Sequence, residues 1–148
     1  MPPVKRIVTK QLGELLIEAK LITRENLDAA LQTQKEKGGL IGQILVAMKF
    51  TTEEAIAQAL TAQYGFPYLP LSNYEVDPVV VKIIPEQVAR QYGVIAVDRV
   101  GNILTIVMSN PLNQQAIEDI EMITKLTMQL FVSTVTDINK AINENYKA

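Results

Sequence analysis

Residues 12–34 recur as residues 41–63, and this duplication constrains the chain more than any other feature. Gly13 falls on Gly42, Leu16 on Leu45, Lys20 on Lys49, Thr23 on Thr52, Leu31 on Leu60 and Gln34 on Gln63. Leu12 and Ile41, Leu15 and Ile44, Ile17 and Val46, Leu21 and Phe50, and Leu27 and Ile56 keep their apolar character. Two copies are too few for a solenoid, which needs three or more repeats to stack a continuous core. Two copies related by a pseudo-twofold instead present a symmetric surface, suited to a symmetric ligand or partner.

Each copy reads as a pair of helices. Residues 10–20 place Leu12, Leu15, Leu16 and Ala19 at helical spacing. Thr23 opens a second helix with Leu27, Ala30 and Leu31 on one face, and Gly38-Gly39 stops it. In the second copy the helices are 41–48 and 51–64, with Gly65 as the stop, and Thr51 and Glu54 have the spacing of a capping box. The repeated leucines are therefore first of all the core of two helical hairpins. Gly13 and Gly42 fall in a first helical turn, where glycine costs about 1 kcal/mol relative to alanine. A cost borne twice at one position implies close approach by a neighbouring backbone or by a ligand. Gln34 and Gln63 close the copies, either as helix caps or as ligand contacts.

Phe66-Pro-Tyr-Leu-Pro70 forces an extended path, because two prolines three apart cannot continue a helix. Beyond it the pattern changes. Asp77-Pro78 starts a short helix to residue 83, and Pro85 starts another to 92, ended by Gly93. Residues 94–98 and 103–108 are β-branched runs around a hairpin turn at 99–102. Helix 113–124, strand 128–132 and helix 136–146 follow. The strand–helix–strand unit from 103 to 132 is expected to be parallel and right-handed. The fold class is α+β: a helical subdomain of two repeated helix pairs over residues 1–65, a proline seam at 66–70, and a small α/β subdomain over 71–148 with a short mixed three-stranded sheet. The halves should fold together, since the helical half alone buries too little apolar surface.

Composition narrows the function. The chain has 148 residues, 48% hydrophobic and 20% charged, which is globular rather than disordered. A net charge of -2 argues against a binder of nucleic-acid polymers. The absence of cysteine and histidine removes disulfides, thiolate chemistry, the commonest general base and the commonest metal ligand. No signal peptide opens the chain, and no apolar run approaches the ~20 residues of a membrane span, so a soluble, cytoplasmic protein is expected. There is no P-loop pattern, and Gly38-Gly39-x-x-Gly42 follows a helix rather than a strand, which makes it a helix–helix turn. The carboxylates Glu53, Glu54, Asp98, Glu118, Asp119 and Glu121 read as solvated faces. No catalytic residue, metal site or cofactor is expected.

The duplicated segment resembles the paired motif of the MshEN domain, found at the N-terminus of type II secretion and type IV pilus assembly ATPases. That motif begins Arg-Leu-Gly, continues through apolar pairs around an internal glycine, and ends Leu-x3-Leu-x2-Gln. Here the copies are residues 11–34 and 40–63, with 35–39 as the spacer. The proline seam and the α/β segment also look like this family. The resemblance implies a docking module for inner-membrane components of the secretion or pilus machine, or for an associated ATPase core. Its alternative is a cyclic di-GMP receptor, with leucines packed on the guanines. The ligand residues that this alternative implies are Leu12, Gly13, Leu27, Leu31 and Gln34 in copy one, and Ile41, Gly42, Ile56, Leu60 and Gln63 in copy two.

The chain departs from the motif at four positions. The arginine is Gln11 in one copy and Leu40 in the other, and the internal glycine is Lys20 and Lys49. A guanidinium offers a bidentate fork that neither glutamine nor leucine reproduces. At ~1.5–3 kcal/mol for each charge-assisted bond, two losses cost a hundredfold or more in affinity. The lysines add bulk and charge where the family has none. These departures favour the docking module. The catalytic core of the family ATPases has no counterpart in these residues, which fits either an excised domain or a stand-alone module.

Overall fold

The structure, a computed structural model, describes residues 12–146. Each repeat copy folds as a short helix, a tight turn and a longer capped helix: α1 (Leu12–Glu18) and α2 (Arg24–Lys37), then α3 (Ile41–Ala47) and α4 (Glu53–Tyr64). The duplication extends to individual hydrogen bonds. After α1, Lys20 N–H donates to the Ile17 carbonyl and Leu21 N–H to the Leu16 carbonyl. After α3, Lys49 N–H donates to Val46 and Phe50 N–H to Leu45. This is the Schellman closure, which requires a left-handed residue after the helix. Lys20 and Lys49 supply it, at φ 62° and 65°. The apolar residues that follow, Leu21 and Phe50, then pack on the helical core.

Capping corrects one expectation. Thr52, not Thr51, is the N-cap of α4: its backbone is extended and its hydroxyl accepts from Ala55 N–H. Glu54 is then one residue short of the reciprocating position. The equivalent Thr23 caps α2 with Asn26 closing a true capping box. Residues 10 and 11, where the first helix was expected to begin, lie outside the described residues.

The second half contains α5 (Pro78–Val81), α6 (Glu86–Tyr92), β1 (Val94–Val100), β2 (Ile103–Met108), α7 (Gln114–Thr124), β3 (Thr127–Val132) and α8 (Val135–Asn145). α5 stops at Val81 rather than at residue 83: Lys82 caps it, and Ile83 and Ile84 donate in i→i−3 turns to Val80 and Val81 instead of continuing the α pattern. β1 runs two residues beyond its expected end, to Val100. Gly101, at φ 60°, makes the two-residue turn that lets β2 pair back at once. The sheet order is β1-β2-β3, antiparallel between β1 and β2 and parallel between β2 and β3. The parallel pair places the β2–α7 and β3–α8 junctions side by side.

The seam is part of this sheet. Leu69 N–H donates to the Val132 carbonyl and Val132 N–H to Pro67, so residues 67–69 run alongside the end of β3. One apolar cluster fills the α/β half. The other fills the helical half and takes in Leu112 and Val132 from across the seam. Among the described residues no helix is long and apolar enough to cross a membrane.

Candidate functional site

A groove of about 660 Å³ lies between the repeat copies and the α/β half. The space falls within the usual range for small-molecule sites. Equivalent residues of both copies build one wall. Leu12 and Ile41, Gly13 and Gly42, and Leu27 and Ile56 line it in pairs, and Leu31, Gln34 and Leu40 extend it. The opposite wall comes from the β2–α7 and β3–α8 junctions, where Ser109, Asn110, Asn113, Ser133 and Thr134 carry hydroxyl and amide groups without charge. An apolar wall faces a mostly neutral polar one, and the charged Glu14, Arg24 and Glu53 also line the space.

Eight of the ten residues implied by the family motif meet in this groove. Leu60 does not join them, because it is fully buried in the helical core, whereas its counterpart Leu31 is 43% exposed. The pseudo-twofold is therefore broken at this pair. The side chain of Gln63 and all of Gln11 lie outside what the structure describes. The Gln34 side-chain amide donates to the Gly39 carbonyl, closing the turn between copies, and the residue also lines the groove.

The repeated glycines have an explanation inside the protein. A Cβ on Gly13 would stand 2.6 Å from Leu27 Cδ1, and one on Gly42 would stand 3.3 Å from Leu12 Cδ2. Side chains of the neighbouring helices occupy the space, rather than a backbone.

Lys20 and Lys49 are exposed and lie away from the groove. The motif glycine they replace corresponds here to the left-handed cap position, so their charge and bulk do not intrude on the cavity. Leu40 does line it.

Several groove residues carry no clear mark in the sequence. Arg24 and Glu53 are repeat equivalents, each the first residue of the second helix in its copy, and both reach the groove. The Thr23–Thr52 correspondence was the available signal for them. Glu53 is no solvated carboxylate: its two oxygens accept from Thr136 N–H at 2.5 Å and from the Thr136 hydroxyl at 2.7 Å, at the start of α8. Asp119 is likewise engaged, accepting from the Tyr92 hydroxyl and from Gln115. That bond, with burial and the carboxylate charge, raises the Tyr92 pKa. Among the described residues no cluster of acidic side chains could hold a metal ion.

Fold and groove define a class: a duplicated helical hairpin facing a small α/β unit, with a ligand-sized space between. A profile of the MshEN domain matches residues 64–148, the seam and the α/β half, and likenesses to whole proteins extend over the repeats as well. The type IV pilus assembly ATPase PilB of Myxococcus xanthus (strain DK1622) is 32% identical over 136 residues, 92% of this chain and 24% of that protein. A solved structure of MshE with cdg has a TM-score of 0.67 at 28% identity, covering 93% of this chain and 99% of that one. The N-terminal domain of XpsE has the same fold, with a TM-score of 0.75 at 19% identity over 93% of this chain and 94% of that one. The chain belongs to the MshEN domain family. It spans about a quarter of the length of the PilB relative.

Proposed function

We propose that this chain is a non-catalytic, cytoplasmic regulatory module of a type IV pilus or type II secretion ATPase, and that its groove takes cyclic di-GMP. The observation that carries the reading is the groove wall built from three residue pairs related by the internal repeat. A twofold dinucleotide matches a twofold wall, with leucine and isoleucine side chains as the surface for its bases. The related MshE structure with cdg supports the choice of ligand. Two of the four motif departures lose their force because Lys20 and Lys49 lie off the groove. Leu40 still forfeits a guanidinium on the wall itself.

Calorimetric titration of the protein with cyclic di-GMP tests the reading. Micromolar binding, weakened at least tenfold by Leu31→Ala and strengthened by Leu40→Arg, is the expected result. Absence of binding at several hundred micromolar ligand ends it. Leu60→Ala is no fair probe, since it opens a cavity in the core.

A second reading, the docking module, rests on another surface. Val100 and Met122 are each 70% exposed, and Ile103 and Ile123 are also exposed. Ile103 pairs with Val100 and with Thr127, which follows α7 closely, so these apolar side chains share one end of the sheet. A partner at the inner membrane, or the ATPase core itself, would cover that end. Loss of partner binding in Met122→Asp, with cyclic di-GMP affinity intact, separates this role from the groove.

A further inference from the structure

The groove's polar wall contains a buried hydroxyl with nothing to bond. Ser133 is 2% exposed, and its Oγ has no hydrogen-bond partner among the described residues. An orphaned buried polar group is costly and calls for an explanation. Ser133 lines the same groove as Gln114 and Gln115 in the first turn of α7, whose N–H groups have no intrahelical carbonyl within reach. Asn113 and Asn110 border the same space. Their side-chain oxygens are held by Ala116 N–H and Leu112 N–H, both at 3.2 Å, which leaves their amide NH2 groups as the free ends. Hydroxyl, amide and backbone donors thus line this wall, whereas the cation that reaches the groove, Arg24, comes from the start of α2.

The neighbouring junction shows what such a place holds. At the start of α8, one position over in the parallel pair, the Glu53 carboxylate sits on Thr136 N–H and the Thr136 hydroxyl. Thr136 is the second residue of α8, as Gln115 is of α7. The protein fills one helix start with its own oxyanion and leaves the other open to the groove.

We infer that the α7 start, with Ser133 and Asn113, is an oxyanion subsite that takes a phosphate group of the groove ligand. Neutral donors and the helix dipole there stand in for the guanidinium this chain lacks at Leu40. The inference rests on the dinucleotide reading for its ligand and on Ser133 for its location.

Two variants test it without unfolding the protein. Ser133→Ala removes an unsatisfied hydroxyl, so the urea midpoint should hold or rise. Asn113→Asp keeps a good N-cap but replaces the amide donor by a carboxylate. Each is titrated with cyclic di-GMP by calorimetry and with inorganic phosphate by amide chemical shift. Phosphate should move the amides of Gln114 and Gln115 in wild type and not in Asn113→Asp. Cyclic di-GMP affinity should fall about five- to tenfold in Ser133→Ala and more in Asn113→Asp. If phosphate leaves the α7 amides unmoved, the subsite is wrong whatever the dinucleotide does. If both variants bind the dinucleotide like wild type, the subsite is wrong and the dinucleotide reading stands. If phosphate moves these amides but the dinucleotide does not bind, the subsite stands as a free-phosphate site and the dinucleotide reading falls.

Discussion

Gly13 lies beneath Leu27 so closely that a Cβ there would stand 2.6 Å from Leu27 Cδ1 and 3.0 Å from Cδ2, and Leu27 is buried. At the equivalent Gly42 the nearest atom, Leu12 Cδ2, is 3.3 Å away and the next, on Ile56, is 3.8 Å away. The duplication thus conserves a letter while the packing around it differs.

Alanine at the two positions should therefore behave differently. Overpacking typically costs 1–3 kcal/mol, against ~1 kcal/mol gained in helix propensity. Gly13→Ala is expected to destabilise by up to about 2 kcal/mol. Gly42→Ala should be neutral or stabilising by up to about 1 kcal/mol. Urea denaturation of both variants decides it, and equal effects would refute the asymmetry.

Glycine at Lys20 or Lys49 should stabilise the protein. A left-handed residue other than glycine costs roughly 1–2 kcal/mol, and glycine returns ~0.5–1 kcal/mol of that through its more flexible unfolded chain. Each substitution should add about 0.5–1 kcal/mol, and the double variant about the sum, since the turns are separate. Cyclic di-GMP binding should not change, because both side chains lie off the groove.

Removing the Glu53 carboxylate should loosen the contact between the halves. Glu53→Gln loses a charge-assisted contact with the start of α8 and should cost about 1 kcal/mol. Glu54→Gln, on the exposed neighbour, should stay within about 0.5 kcal/mol of wild type. Thermal unfolding of the pair measures the difference.

Tyr146 anchors the end of α8, its hydroxyl lying 2.9 Å from the Val81 carbonyl and 2.6 Å from that of Ile84. Burial, aided by the Glu86 charge and opposed by Arg90, pushes its pKa up to about 12. An unfolded tyrosine titrates near 10. The fold thus favours the neutral phenol, whose contribution is complete below about pH 10 and is lost as pH rises towards 12. Tyr146→Phe should cost about 1–2 kcal/mol at pH 8. The gap between the urea midpoints of the two proteins should narrow from pH 10 upward; a constant gap would contradict this assignment.

The helical repeat, the mixed sheet and most helix ends were legible from spacing, caps and breakers, because those signals are local. Thr52 was obscured by Thr51 beside it, and only the correspondence with Thr23 distinguishes them. In the groove, the apolar wall was legible because it repeats. The polar wall was not: Ser109, Asn110, Asn113 and Ser133 belong to two junctions far apart in the chain, joined by the parallel register of β2 and β3. Leu60 followed the repeat in letter only, since the core and the groove draw on opposite members of the Leu31–Leu60 pair.

Because residues 67–69 pair with Val132 and the helical core takes in Leu112 and Val132, the two halves cannot be exchanged between relatives as cassettes cut at the prolines. A chimera that joins one relative's repeats to another's sheet inherits a mismatched seam and a mismatched patch of core together. Recombination that preserves the fold must carry the seam, the end of β3 and the β2–α7 junction with whichever half it moves.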